Sequence, residues 1–137
     1  MSGWWRCLGK PAHNLLAVGL LALCALPGHA EMPWSETGAD GEPVLQIYFF
    51  RSLACPYCNA ARPEVAAIVR QRPWLRLHDL EITEHPENVA LYQTMAHDLG
   101  REAASVPALL FCGEMQLGWG EGASEHLAQR LDACHAR

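Results

Sequence analysis

Two of the six cysteines stand two residues apart in the stretch FFRSLACPYCNAARPEV (49–65). The spacing of Cys55-Pro56-Tyr57-Cys58 suits three chemistries: a dithiol-disulfide couple, half of a thiolate metal site, or a structural clip. A four-ligand zinc or copper(I) site needs two more soft or imidazole ligands nearby. The sequence has no second Cys-x-x-Cys and no His-x-x-x-His, and His78 and His85 read as ordinary strand and surface residues. No metal ligand is therefore assigned, and thiolate metal binding or delivery remains the alternative to redox chemistry. What decides between them is the compartment and the elements that position the two sulfurs.

The compartment is read from the N-terminus. Arg6 and Lys10 precede an apolar run, NLLAVGLLALCAL (14–26), and Pro27, Gly28 and Ala30 follow it. Thirteen apolar residues fall short of the roughly 20 that span a bilayer, so residues 1–30 read as a secretory signal peptide cleaved after Ala30. An uncleaved anchor is the rival reading, and lipidation at Cys24 is disfavoured by Leu23. The mature chain is expected to be periplasmic or secreted. It keeps all 15 acidic residues but only eight arginines of the ten basic residues, a balance of 8 − 15 = −7. That charge excludes nucleic acid as a partner class, since phosphate binding needs a basic surface. Cys55, Cys58, Cys112 and Cys134 remain, an even number in a space where disulfides persist.

Positioning elements follow from periodicity. EMPWSETGADGEP (31–43) is acidic, has no apolar period, and reads as a flexible arm before a domain at 44–137. VLQIYFF (44–50) is a continuous apolar run, the pattern of a strand buried on both faces. Residues 56–71 read as a helix stopped by Pro73, with Ala60, Val65, Ile68 and Val69 on its inner side. WLRLHDLEI (74–82) reads as a strand, and 85–99 as a helix with Pro86 in its first turn and Gly100 at its cap. PALLFC (107–112) and EMQLGW (114–119) read as a hairpin turning at Gly113, and a closing helix begins near Ser124. The order β-α-β-α-β-β-α predicts an α/β domain with a four-stranded mixed sheet and three helices.

With these residues in this order the chain resembles the thioredoxin superfamily, in a glutaredoxin-sized form, over roughly residues 44–134. The resemblance rests on Cys55-Pro56-Tyr57-Cys58 between first strand and first helix, on SVP (105–107) opening the third strand, and on Gly118 closing the hairpin. It implies a thioredoxin-like fold and an exported thiol-disulfide oxidoreductase that needs no cofactor and is expected as a monomer. It also implies a cis Val106-Pro107 bond facing the cysteines, with the Val106 backbone, Pro56, Pro107 and the exposed Tyr57 forming the substrate-binding surface. Two departures bear on the partner. Arg51 stands in for the lysine that glutaredoxins carry before the motif, and GWGEG (118–122) replaces their paired-glycine turn, setting Trp119 and Glu121 there. Both disfavour glutathione and favour protein thiols and disulfides, with a membrane thiol electron transporter as candidate electron source.

Within that frame Cys55 is the nucleophile. A helix N-terminus favours its thiolate, and cysteines so placed titrate between about 3.5 and 7.5. Cys58, a turn deeper, is the resolving thiol. Pro56 suits the first helical position because its ring fixes φ and the absent N–H had no helical partner. Direction is open, with a reductant favoured because the oxidase-type helical insertion is absent. Cys112 and Cys134 are expected at the opposite pole. Five strand residues at about 3.3 Å carry the chain away from Pro107, and ten to twelve helical residues at about 1.5 Å do the same on the return. A Cys112–Cys134 structural disulfide is expected there; two buried free thiols or a second redox couple are the alternatives.

Overall fold

The computed structural model describes residues 34–137, so the expected signal peptide lies outside the described residues. Five strands and three helices follow in the order β1 (Ser35–Thr37), β2 (Pro43–Arg51), α1 (Pro56–Arg70), β3 (Leu75–Glu81), α2 (Pro86–Asp98), β4 (Ala108–Phe111), β5 (Glu114–Leu117) and α3 (Ala123–His135). No helix among these residues is long and apolar enough to cross a membrane.

The central strand β2 explains the architecture. Its residues from Leu45 to Phe50 are all buried, and the apolar ones divide alternately between two cores. Leu45, Ile47 and Phe49 pack with Ala61, Val65 and Ile68 of α1 and with Leu127 and Leu131 of α3. Tyr48 and Phe50 pack with Tyr92, Met95 and Ala96 of α2. A strand alternates its side chains by two, so a run that is buried at every position needs a layer on each face. Each fully buried side chain of this size contributes about 1.5–3 kcal/mol. Ala60, expected inside, is exposed, and Ala61 occupies the buried position one residue on.

Strand β2 pairs parallel with β3 (Ile47 opposite Leu77) and antiparallel with β4 (Phe49 opposite Leu109), and β4 pairs antiparallel with β5. The fifth strand corrects the expectation of four. Ser35–Thr37 pairs antiparallel with Pro43–Leu45, within the stretch 31–43 read as an arm without regular structure. The Gln46 N–H donates to the Trp34 carbonyl at 2.8 Å while the Leu45 N–H donates to Trp74 at 2.8 Å. Adjacent residues of a strand point their amides to opposite edges, so β1 continues the β4 edge of β2 past Phe111. The pairing was not legible because Ser-Glu-Thr is polar and three residues long, with an exposed side chain at every position.

Helix ends follow their local chemistry. Pro86 opens α2, and Gly100, at φ 66°, closes it while its N–H and that of Arg101 bond the carbonyls of His97 and Ala96. This is the left-handed glycine cap that the sequence places there. Between β4 and β5 the turn is Cys112-Gly113, with φ of 51° and 75°. Two successive left-handed residues match the twist of a two-residue hairpin.

Candidate functional site

Cys55 is the N-cap of α1. Its backbone is extended (φ −89°, ψ 112°), and its Sγ accepts the Cys58 N–H at 3.1 Å. Sulfur here does what a serine or aspartate oxygen does at most helix starts: it satisfies an amide with no partner inside the helix. Pro56 takes the first helical position, and no acidic residue stands in the first turn to oppose a negative charge on sulfur. Cys58 is fully buried, Cys55 is partly exposed, and the two form a disulfide across a Cα separation of 5.2 Å. A close cysteine pair at a helix start after a buried strand has the geometry of a couple able to open and close.

The loop before β4 faces this pair. The Val106-Pro107 peptide bond is cis, and the Val106 carbonyl oxygen lies 3.7 Å from Cys55 Sγ. Pro107 is fully buried, and its carbonyl accepts the Gly118 N–H at 2.9 Å. The Tyr92 hydroxyl donates to the Ser105 carbonyl at 2.8 Å, tying the loop to α2. Three large apolar side chains are exposed among the described residues: Tyr57 (65%), Leu53 (49%) and Leu117 (37%). Tyr57 and Leu53 flank Cys55 in sequence. Leu117 pairs with Ala108, next to the cis proline.

Sequence reasoning missed the residues that brace this loop. Glu81 ends β3 and, with Gln46, is one of two buried polar side chains among the described residues. Its carboxylate accepts the Thr83 N–H at 2.6 Å and the Glu84 N–H at 2.8 Å. Burial pushes the Glu81 carboxyl up, but the Thr83 hydroxyl and the backbone N–H groups of Glu84, Thr83 and Leu53 outweigh it and hold the group down at about 2. Thr83 Oγ1 also lies 3.0 Å from Ser52 Oγ and accepts the Leu53 N–H at 3.3 Å. The only sequence signal was a carboxylate ending a strand two residues before a threonine, which many strands share.

Arg51, set down as a substitute for the glutaredoxin lysine, is ion-paired with Asp79, which also binds Arg62 Nε at 2.9 Å. Trp119 packs into the α1/α3 core instead of standing out from the GWGEG turn, because the left-handed Gly118 (φ 78°) re-aims the chain there. Glu121 alone of that pair is exposed, beside a shallow groove lined by Leu117, Trp119 and His126. His78 stacks on Tyr48 and bonds Gln46 Oε1 at 2.7 Å, and His85 bonds Glu87. Among the described residues no group of three or more His, Cys, Asp or Glu is placed to hold a metal ion.

The second cysteine pair lies at the hairpin turn and the last turn of α3, where Cys112 and Cys134 are joined as a disulfide with Cα atoms 6.5 Å apart. Both are partly buried against the α1/α3 core. Beside them Trp74 and His135 stack at 4.0 Å, and Arg72 clasps Asp132 through two bonds of 2.7 and 2.8 Å. No protein-family model matches the chain, and no curated protein matches it in sequence.

Proposed function

We propose that the protein is an exported thiol-disulfide oxidoreductase of thioredoxin-like type that reduces disulfides in other proteins through Cys55. The observation that carries this reading is the Cys55 sulfur capping α1, 3.1 Å from the Cys58 N–H. In the reduced protein the same amide and the helix dipole would stabilise a thiolate, which is the attacking species in disulfide exchange. Burial of Cys58 one turn deeper supports its role as the resolving thiol.

In the first step the Cys55 thiolate attacks one sulfur of the substrate disulfide. A mixed disulfide forms, the substrate S–S bond breaks, and its other sulfur leaves as a thiolate that takes a proton from water. Cys58 then gives its proton to solvent, attacks Cys55 Sγ and expels the second substrate thiolate. Two electrons have passed to the substrate, and the Cys55–Cys58 pair is oxidised. An external dithiol must return them, and the proposed source is a membrane thiol electron transporter.

Protein substrates are favoured by the exposed Tyr57 and Leu53 that flank Cys55 in sequence, by the exposed Leu117 opposite Ala108, and by the Val106 carbonyl beside the sulfur. An extended peptide offered to that carbonyl would meet apolar side chains on both sides. Glutathione recognition is disfavoured because Arg51 is held by Asp79 and is only 11% exposed. Sequence features alone support export and the periplasmic or secreted location.

The decisive measurement is the reduction potential of the purified protein in a glutathione buffer, together with a Cys58→Ala variant to trap partners. A reductant is expected near about −200 mV or below, and a value near about −120 mV would reverse the direction. Absence of an accessible couple and of any trapped mixed disulfide would sink the reading. Stoichiometric copper or zinc on the reduced pair would favour the metal-delivery alternative.

A further inference from the structure

We propose that Glu81 and Thr83, on the loop after β3, are positioning residues that hold the Ser52–Cys55 turn so that the Cys55 sulfur stays on the Cys58 amide. The inference rests on the redox reading above for its functional meaning, but its geometry stands without it. Only three residues separate the end of β2 at Arg51 from Cys55, and they form one turn in which the Cys55 N–H bonds the Ser52 carbonyl at 3.3 Å. Such a turn has few bonds of its own, so outside contacts set the direction in which Cys55 leaves it.

Those contacts converge on one side. The Thr83 N–H donates to the Glu81 carboxylate at 2.6 Å, while Thr83 Oγ1 shares a hydrogen bond with Ser52 Oγ at 3.0 Å and accepts the Leu53 N–H at 3.3 Å. Asn59 of α1 donates to the Leu53 carbonyl at 3.4 Å. Glu81 is fixed in turn, since its own carbonyl accepts Asn88 Nδ2 at 2.7 Å and the Ile82 N–H bonds the Arg51 carbonyl at 2.9 Å. A buried carboxylate thus holds Thr83, and through it the turn that aims the nucleophile. Neither residue touches the sulfurs, so their effect acts through the turn.

The test uses the full chain in a Cys58→Ala background, with iodoacetamide labelling followed across pH and read at the Cys55 peptide by mass spectrometry. Thr83→Val keeps the shape and removes the hydroxyl. It should raise the midpoint of the Cys55 profile by about half a unit, which is about threefold slower labelling on the acid side of the midpoint. Thr83→Ser, which keeps the hydroxyl, should restore the parent profile, and Glu81→Gln should shift it in the same direction as the valine. An intact Cys112–Cys134 disulfide and an unchanged circular dichroism spectrum identify the folded species. Should the valine fail to fold, Glu81→Gln carries the comparison. A profile in the folded Thr83→Val or Glu81→Gln protein that superimposes on the parent's would overturn the proposal, as would a serine variant shifted as far as the valine. Failure of the unsubstituted protein to exchange with any protein disulfide would instead sink the redox reading and leave the labelling comparison valid.

Discussion

The two cysteine pairs of this domain use the same bond in opposite settings. Cys55 begins α1, with an amide on its sulfur and a carbonyl of the facing loop 3.7 Å away. Cys134 lies in the last turn of α3, where the helix dipole presents its negative end. A thiolate is favoured at the first place and disfavoured at the second. The span between partners differs as well, three positions against 22. Closing a short turn removes little freedom from the unfolded chain, whereas closing the longer loop is worth on the order of 3 kcal/mol. Helix polarity and loop length together separate a bond that can turn over from one that holds.

The largest expected effect breaks this contrast at its working end. Cys55→Ser should lower disulfide exchange by at least about a thousandfold, because a serine hydroxyl at neutral pH is a poor nucleophile and no second thiol is exposed beside it. Thermal unfolding should change little, since serine is itself a good N-cap. Comparable loss of exchange in a Cys112→Ala/Cys134→Ala protein would erase the distinction between the pairs. That double variant should instead keep exchange and lose on the order of 3 kcal/mol of unfolding free energy, read by urea denaturation.

How far each end was legible in the sequence follows the same division. Cys55-Pro56-Tyr57-Cys58 lies within one helical turn, so its placement needed only the strand before and the helix after, both signalled by periodicity. Cys112 and Cys134 needed the topology of the hairpin and α3, yet strand and helix rises place both far from Pro107. What could not be read was contact between polar side chains from separate segments. Thr83, held by Glu81, meets Ser52 and Leu53 across about thirty positions, and nothing local marks one surface threonine among several. Trp119 shows the converse. It stands in a turn between glycines, but burial of its ring in the core outweighs the local turn character.

Acid should separate the two ends further. The Glu81 carboxyl falls from its ordinary 4.5 to about 2 in the folded protein, so its hydrogen bonds contribute stability above about pH 4.5. That share is lost progressively as pH falls from about 4.5 to about 2. Glu87 and Asp132 are also held low, Glu87 by its own backbone N–H and His85, Asp132 by Arg72, and so act with the same sign. Stability measured by urea midpoints should therefore decline across this window. In Glu81→Gln the decline should be shallower, and the exposed turn at Cys55 should label earlier than the Cys112–Cys134 end unfolds. An unchanged acid profile in Glu81→Gln would mean that this carboxylate does not brace the active end.

The smallest effect concerns the bracing of the far end. Arg72 lies just after α1 and binds Asp132 in the last turn of α3 through both carboxylate oxygens, while its Nη1 donates to the Ile68 carbonyl at 3.3 Å. Asp132 is 53% exposed, so solvent screens the pair and its loss in Arg72→Ala should amount to no more than about 1 kcal/mol. Exchange through Cys55 should not change. The informative quantity is the coupling between this pair and the disulfide two residues further along the helix. If both fix the same last turn of α3, Arg72→Ala combined with Cys112→Ala/Cys134→Ala should cost less than the sum of the separate losses, because a turn already frayed has nothing left to lose from the ion pair. Strict additivity would show that the disulfide acts on the unfolded chain alone and that the salt bridge holds the helix end by itself.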